Sequence, residues 1–258
     1  MRWAGSKRQL LPELRLYIPA KIEKYIEPFC GSASLFFELE PDKAILSDIN
    51  EELINALNLL KTNIEFYDDL INLPKDKETY YRTRALNPTN LSNEERAIRF
   101  FYLNRFCFNG VYRTNLHGDF NVPFGTRTGG IPPKEVFQKA QNCLKNAIIH
   151  ACDYHETLSS VSKNDFIYLD PPYTAKNGFT GEYGLGSFKQ ENFLELVEIL
   201  KSINSSGGQF LLSYRYDEKI SSLLKSQFLV DEILIKRHIS GFKTNWVTER
   251  EILVRNYE

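Results

Sequence analysis

Short apolar runs and amphipathic segments alternate in the first 62 residues. Tyr25–Phe29 and Ala44–Asp48 are apolar runs typical of buried strands, and the segment 34–39 between them is predicted to be a helix. A second helix is predicted over Glu51–Lys61, where the apolar positions share one face: Leu53, Ile54, Leu57 and Leu60. This β-α-β-α order predicts a parallel sheet.

The same alternation returns after residue 146. Strands are predicted at Ala147–Ala151, Phe166–Asp170 and Gln209–Tyr214, helices at Gln190–Ile203 and Asp217–Lys225, and two final strands at Asp231–Arg237 and Thr248–Asn256. Residues 1–62 and 147–258 together therefore predict an α/β fold with a doubly wound, mainly parallel sheet.

Residues 63–146 interrupt that alternation with a mostly helical pattern. The longest predicted helix runs from Ser92 to Phe108 and begins with a capping box formed by Ser92 and Glu95. A glycine-punctuated stretch follows, and it predicts a hairpin or ordered loop within 109–125. The pattern indicates a helical insertion into the α/β fold.

Composition is typical of a folded protein. The chain has 258 residues, of which 42% are hydrophobic and 25% charged, and no run approaches the roughly 18 to 20 apolar residues of a membrane helix. The first residues lack the apolar core of a secretory signal. Four scattered cysteines without C-x-x-C spacing predict reduced thiols in the cytoplasm and no metal site.

Charge is distributed unevenly along the chain. The net charge is only −1, but residues 82–145 contain ten Lys or Arg against four Asp or Glu. A basic segment on a mildly acidic protein suits a surface that faces phosphates, because each neutralised phosphate releases counterions. A solvated surface with no partner explains the same bias equally well.

The most informative short segment is Tyr168-Leu169-Asp170-Pro171-Pro172-Tyr173. An acid at the end of an apolar strand lies where open α/β sheets bind ligands. Asp170 and the carbonyl of Pro171 could accept the two hydrogens of an exocyclic amine while Tyr173 stacks on its ring. The alternative is a strand that ends in a Pro-Pro turn with a half-buried tyrosine.

A turn of small residues, Glu27-Pro28-Phe29-Cys30-Gly31-Ser32-Ala33-Ser34, is followed by an acid, Asp48, at the end of the next strand. Such turns let a ligand approach the backbone, and the acid is placed to bind ribose hydroxyls. The chain has neither G-x-G-x-x-G nor a Walker lysine-serine pair, which argues against dinucleotide and phosphate-loop sites.

Aromatic, amide and arginine residues are mixed in Asn104-Arg105-Phe106-Cys107-Phe108-Asn109-Gly110-Val111-Tyr112-Arg113. Asn and Arg side chains can read base edges, and aromatic or branched side chains can enter a base stack. Phe106 is expected in the core at the helix end. Asn109 and Arg113 lie past the helix and are better candidates for a functional role.

Together these segments resemble the D12 class of DNA adenine-N6 methyltransferases, most closely its GATC-methylating Dam-type members. The resemblance covers nearly the whole chain in matching order. It includes Arg2-Trp3-Ala4-Gly5-Ser6-Lys7, with Ser6 where a second glycine is usual, and Asp170-Pro171-Pro172-Tyr173 at the catalytic motif. The segments Tyr102-Leu103-Asn104-Arg105 through Asn121-Val122-Pro123-Phe124-Gly125 resemble the family's DNA-reading hairpin.

The resemblance implies S-adenosyl-L-methionine as methyl donor and, as acceptor, a flipped adenine within GATC in double-stranded DNA. The implied catalytic residues are Asp170, Pro171, Pro172 and Tyr173. The implied cofactor site comprises Trp3, Lys7, Phe29, Gly31, Ser34, Asp48, Asp153, Tyr154 and Asp170. The implied DNA-binding residues are Arg2, Arg105, Phe108, Asn109, Val111, Arg113, Asn121, Pro123 and Arg127.

In this resemblance Arg113 and Arg2 match positions that contact guanine, and Pro123 matches a contact to the thymine methyl group. Residues 63–146 would then be a target-recognition domain. The chain is expected to be a monomer in the cytoplasm, at the nucleoid, and a restriction endonuclease that acts separately is left open as a partner.

Two other functions fit the same sequence. One is an RNA or protein N-methyltransferase, although Asp170 before Pro-Pro-Tyr and the DNA-like hairpin disfavour it. The other is a non-catalytic DNA-binding regulator, which the intact Asp48 and Asp170 disfavour.

Overall fold

The computed structural model contains a seven-stranded sheet and describes residues 1, 3, 5–115, 117–126, 128–173, 188–238 and 246–258. The strands are β1 Lys24–Glu27, β2 Ala44–Asp48, β3 Ala147–Ala151, β4 Asp165–Leu169, β5 Gln209–Arg215, β6 Leu229–His238 and β7 Trp246–Arg255. Their order is β3-β2-β1-β4-β5-β7-β6, and β7 runs antiparallel to both of its neighbours. The predicted mainly parallel α/β sheet is confirmed.

Ten α-helices lie within the described residues. They are α1 Leu11–Leu14, α2 Ser34–Leu39, α3 Glu51–Thr62, α4 Phe66–Asn72, α5 Lys77–Ala85, α6 Asn93–Phe106, α7 Lys134–Leu144, α8 Tyr154–Leu158, α9 Gln190–Ser206 and α10 Glu218–Lys225. Five match individually predicted helices, three lie in the segment 63–146 that was predicted to be mostly helical, and α1 and α8 were not predicted. The predicted capping box of Ser92 and Glu95 begins α6.

Several predicted element ends are wrong by two or three residues. Helix α9 ends at Ser206 and not at Ile203, and β6 and β7 begin at Leu229 and Trp246 and not at Asp231 and Thr248. Two further ends lie close to the site described below. Helix α6 ends at Phe106 and not at Phe108, because Cys107 is extended and forms an isolated bridge with Phe124. Strand β1 ends at Glu27 and not at Phe29. Beyond it the chain turns, and the Cys30 N–H donates to the Ser47 carbonyl of β2 at 2.9 Å.

Side-chain alternation along the strands divides the core into two clusters. Phe166 of β4 belongs to one cluster, with side chains of α2, α3 and α6, and its neighbour Ile167 belongs to the other, with side chains of α8, α9 and α10. Because successive strand residues point to opposite faces, helices cover both faces of the sheet. This is the doubly wound arrangement.

The helices of segment 63–146 extend the first of these clusters. The rings of Phe66 and Phe101 stack at 5.4 Å, and Phe137 meets both of them edge-on. All three belong to the same continuous cluster as Tyr25 and Phe166 of the sheet. The segment therefore shares its core with the sheet and does not bury a separate one.

Two global features concern membranes and thiols. Within the described ranges, every helix is too short or too polar to span a bilayer. All four cysteines are free, and Cys30 and Cys107 are buried.

Polar side chains of five strands lie at one edge of the sheet. Asp48, Glu27 and Arg215 are the last residues of β2, β1 and β5, and Asp170 directly follows β4. Glu251 lies in the middle of β7, where it pairs with Arg215. Each is an even number of residues away from a member of the first cluster on its own strand, so all five face the same side. That face carries the site described below.

Glu27 is the most buried acid of this row after Glu251. It is 3% exposed, and the Tyr25 hydroxyl donates to its Oε2 at 2.9 Å. Burial raises the pKa of Glu27 well above its ordinary value, and the charges of Asp170 and Asp48 raise it further, against hydrogen bonds from Tyr25 and Phe36 that lower it. Protonation of Glu27 therefore favours the folded state.

We expect Glu27→Gln to flatten the pH dependence of stability. The pKa of Glu27 is higher in the folded chain than in the unfolded chain. The free energy of unfolding that protonated Glu27 contributes to the wild type is therefore lost as the pH rises from the unfolded pKa towards the folded pKa. The loss is up to ~1.4 kcal/mol per pH unit. Between about pH 5 and about pH 8, the midpoint of thermal unfolding should fall further for the wild type than for the variant. Glu65→Gln, at an exposed position, is the control, and equal slopes for wild type and Glu27→Gln would contradict the expectation.

Candidate active site

The buried ammonium of Lys7 is surrounded by three acceptors at the edge of the sheet. Its Nζ lies 2.6 Å from the Tyr173 hydroxyl, 3.0 Å from Glu251 Oε2 and 3.2 Å from Asp170 Oδ1. Burial by itself would lower the pKa of Lys7, but the interactions with Asp170, Tyr173 and Glu251 raise it above its ordinary value. Lys7 is therefore a permanent cation in the site.

Asp170 is the most accessible acid of this cluster. Its side chain is 22% exposed, and it follows β4 directly, one residue beyond the strand. The Ser213 hydroxyl lies 3.4 Å from its Oδ1 and is itself 3.0 Å from the Tyr168 hydroxyl. Asp170 is thus supported from the protein side while part of it stays open to a ligand. Pro171 is buried and Pro172 half-buried beside it.

Tyr173 is fixed at both its hydroxyl and its ring. The hydroxyl donates to Glu251 Oε1 at 2.9 Å while it accepts from Lys7. The ring meets Tyr214 edge-on at 5.3 Å, and the Arg215 guanidinium lies 5.5 Å from the ring centroid. Burial raises the pKa of Tyr173, against Lys7, which lowers it, so the phenol remains protonated.

The turn after β1 and the acid after β2 are joined through the backbone. The Gly31 N–H donates to Asp48 Oδ2, and the Asn50 N–H donates to Asp48 Oδ1, both at 3.0 Å. Burial raises the pKa of Asp48, and these backbone hydrogen bonds oppose the shift. Each carboxylate oxygen keeps a lone pair for a further donor.

Trp3 packs directly over Gly31. Gly31 has a φ of +45°, and a Cβ at this position would lie 2.7 Å from Trp3 Nε1, so only glycine fits. Trp3 also stacks on Tyr112 at 5.8 Å, and Tyr112 contacts Phe120 at 5.3 Å. The turn is therefore connected to residues 112–120 by aromatic contacts.

Two further groups border the same turn. Phe29 packs against Tyr154 at 5.1 Å and Phe188 at 6.0 Å. Ser34 shares a hydroxyl cluster with Ser6 and Ser32, both 2.9 Å from it.

Asp153 lies beside Tyr154 and caps α8. Its Oδ1 accepts from the His155 N–H at 2.9 Å and lies 2.5 Å from His155 Nδ1. The side chain is 51% exposed, so it remains accessible at the end of β3.

Residues 106–125 double back on themselves beside this site. Phe108 N–H donates to the Pro123 carbonyl, Asn121 N–H to the Arg113 carbonyl, and Thr114 pairs with Phe120. The exposed Arg113 donates through Nε to Asn121 Oδ1 at 2.9 Å. The two terminal nitrogens of the guanidinium carry four further N–H donors.

The remaining predicted DNA-binding residues differ in exposure. Phe108 is 51% exposed, Asn109 and Pro123 are exposed, and Val111 is half-buried. Arg105 Nε donates to the Gly130 carbonyl at 2.5 Å, which places its guanidinium against the chain itself. Phe106 is in the core, as predicted. Arg2 and Arg127 lie outside the described residues.

Sequence reasoning missed Glu251, Glu27 and Ser213. A charged or hydroxyl residue in a strand is usually on its solvent face, and one sequence gives no indication of which face is covered. Glu27 in an otherwise apolar strand was the one available hint. Glu251 is recognisable only once β7 is paired with β5.

Comparison with known proteins identifies the family to which the chain belongs. A family model for the D12 class N6 adenine-specific DNA methyltransferase matches residues 3–239. The type II methyltransferase M1.LlaDCHI of Lactococcus lactis subsp. cremoris is 33% identical over 269 aligned positions, covering 99% of this chain and 94% of that protein.

A DNA adenine methylase of Haemophilus influenzae is 31% identical, covering 98% of this chain and 91% of its own length. Among solved structures, the precorrin-6y C5,15-methyltransferase of Geobacter metallireducens has a TM-score of 0.42 at 10% identity, covering 97% of this chain and 87% of that one. The family match and the sequence relatives, which both span nearly the whole chain, show that it belongs to the D12 class N6 adenine-specific DNA methyltransferase family.

Proposed function

We propose that the chain transfers a methyl group from S-adenosyl-L-methionine to N6 of an adenine flipped out of duplex DNA, within GATC. The observation that carries the proposal is the arrangement of Asp170, Tyr173 and Lys7 at the end of β4. The turn that contains Gly31 follows β1, the strand paired with β4. A methyl donor and an amine acceptor would therefore meet at one sheet edge.

The residues around this turn fit S-adenosylmethionine. Asp48 has lone pairs left for ribose hydroxyls, and the Phe29 and Tyr154 rings offer an apolar surface to an adenine ring. The acidic face formed with Asp170 and Glu251 favours a cationic ligand. When bound, S-adenosylmethionine supplies a methyl group activated by the positive charge on its sulfur.

Asp170 and Pro171 overcome the weak nucleophilicity of the amine. The N6 lone pair of adenine is delocalised into the ring. Hydrogen bonds from the two N6 hydrogens to the Asp170 carboxylate and the Pro171 carbonyl favour a pyramidal nitrogen with a localised lone pair. The carboxylate also stabilises the positive charge that develops on N6. Asp170 thus acts mainly as an oriented acceptor. As the new N6–carbon bond replaces the sulfur–carbon bond, N6 gives up one hydrogen as a proton, which the partly exposed Asp170 carboxylate passes to solvent.

Stacking on the Tyr173 ring offsets the free-energy cost of flipping the base out of the duplex. Flipping costs on the order of a few kcal/mol, and stacking on an aromatic ring returns about 1–3 kcal/mol. The exposed ring of Phe108, with Val111 behind it, is available to fill the space that the base leaves.

The hairpin 109–125 reads the sequence in this proposal, as part of a target-recognition segment 63–146. Asn121 holds Arg113 Nε, which presents the two terminal nitrogens for a bidentate contact to guanine O6 and N7. Pro123 is exposed for contact with a thymine methyl group. The enzyme acts as a monomer at the nucleoid, and any restriction endonuclease acts separately.

We expect Asp170→Asn to reduce kcat by about 100-fold or more, because the amide removes the negative charge and one acceptor oxygen. The measurement is transfer of labelled methyl groups from S-adenosylmethionine to duplex oligonucleotides that contain GATC. Asp69→Asn, an exposed position on α4, should keep the parental rate.

Parental activity in Asp170→Asn would contradict the proposed mechanism. The position of the label tests the function itself. Label on adenine N6 supports the proposal, label on RNA or protein supports a different substrate, and DNA binding without transfer by the wild-type chain supports a non-catalytic regulator.

We expect Arg113→Ala to relax sequence discrimination. One bidentate contact to guanine provides roughly 1–3 kcal/mol, so the ratio of kcat/KM for GATC to kcat/KM for a site with the guanine replaced should fall about 5- to 100-fold. Arg15→Ala, which removes an exposed arginine paired with Glu38 outside the hairpin, should leave the ratio unchanged. If Arg113→Ala slowed both sites in equal proportion, Arg113 would have no reading role.

A further inference from the structure

Glu251 is a buried acidic side chain. It is 1% exposed and lies on β7, opposite Arg215 of β5. Burying a carboxylate costs several kcal/mol unless it is paired, and an apolar residue usually serves stability equally well at such a position. Its presence therefore calls for a functional explanation.

Both carboxylate oxygens of Glu251 bind groups of the candidate active site. Oε2 accepts from Lys7 Nζ at 3.0 Å, and Oε1 accepts from the Tyr173 hydroxyl at 2.9 Å. Lys7 and Tyr173 are also bonded to each other at 2.6 Å. The three groups form a closed triangle, and each one limits the movement of the other two.

This triangle determines how Lys7 meets Asp170. The Lys7–Asp170 contact, at 3.2 Å, is the longest of the three that Lys7 makes. Because Glu251 and Tyr173 also hold the ammonium, Lys7 contacts Oδ1 of Asp170 from a fixed position. The exposed part of the Asp170 side chain can then accept hydrogen bonds from a substrate.

The triangle also determines the orientation of the Tyr173 ring. A ring held only by packing can tilt or shift, but this hydroxyl accepts one bond and donates another, and the ring edge rests against Tyr214. The position and the plane of the ring are both fixed. A flipped base would therefore find its stacking surface already in place.

We propose that Glu251 is a positioning residue for methyl transfer, which holds Lys7 and the Tyr173 hydroxyl so that Asp170 and the Tyr173 ring are set for the flipped base. This inference rests on the proposed function. Misplacement of a reacting group by about 1 Å can cost about 100-fold in rate. The effect of losing Glu251 should therefore fall on the chemical step.

The test compares Glu251→Gln with Glu232→Gln in steady-state assays of methyl transfer from S-adenosylmethionine to GATC duplexes. Glu251→Gln keeps the volume but removes the charge and one acceptor, and it should lower kcat about 10- to 100-fold while both KM values change less than about threefold. Glu232, exposed on the neighbouring strand β6 and paired with Lys225, provides the matched control, which should remain at the parental rate.

Tyr173→Phe gives a second, independent variant, since it removes the hydroxyl and leaves the Lys7–Glu251 pair intact. It should lower kcat as well, and Glu251→Gln should cost less in the Tyr173→Phe background than in wild type, because the two changes disrupt one unit. Thermal unfolding of each variant distinguishes a lower kcat of the folded enzyme from a smaller amount of folded enzyme.

Three results would overturn the inference: kcat of folded Glu251→Gln within twofold of wild type, unchanged kcat in Tyr173→Phe, or fully additive effects. If Asp170→Asn is inactive while Glu251→Gln is normal, only the role of Glu251 is wrong. If Asp170→Asn keeps the parental rate, the mechanism on which this inference rests is wrong, and if the wild-type chain places no label on adenine N6, the proposed function is wrong.

Discussion

A single buried cation holds distant parts of the chain together at the edge of the sheet. Lys7 comes from the N-terminal segment, Tyr173 follows β4, and Glu251 lies on β7, so its bonds join residues separated by 166 and 244 positions in the sequence. The ammonium lies within 3.2 Å of the Asp170 carboxylate and 3.0 Å of the Glu251 carboxylate, and it places a positive charge between the two acids.

The period of two along the strands explains why so many acids meet on one face. Asp48, Glu27, Asp170 and Glu251 come from four strands, and each lies in phase with core residues of the same sheet face. The acids are accommodated in three different ways. Asp48 accepts backbone hydrogen bonds, Asp170 and Glu251 pair with Lys7, and Glu27 has a raised pKa. The result is an acidic face without general destabilisation.

The proposed catalytic residues and the proposed DNA-reading residues differ in exposure for physical reasons. Tyr173 and Lys7 are enclosed, where hydrogen bonds are stronger and geometry is rigid. Arg113 and Phe108 are on an exposed hairpin, where they can reach into a groove. The contacts from Phe120 through Tyr112 to Trp3 connect the hairpin with Gly31. A continuous series of aromatic contacts therefore runs from the hairpin to the turn at Gly31.

Local patterns in the sequence were sufficient for most elements and for part of the site. Apolar runs located β2 and β4, the capping box located the start of α6, and the acids after two strands located Asp48 and Asp170. Each of these depends on a few neighbouring residues, because strand periodicity and helix capping are short-range effects. The end of α6 was misplaced because its limit is set by Cys107 pairing with Phe124, which is a tertiary contact.

By itself, the sequence determined the alternation of strands and helices, the acids at the strand ends and the family of the chain. Only the tertiary structure decided that Glu251 is buried, that Lys7 lies between it and Asp170, and that Arg113 is held by Asn121. A charge on a strand looks the same in sequence whether its face is covered or exposed. Its role is determined by which distant segments pack over it, and that depends on strand order and on long-range pairing.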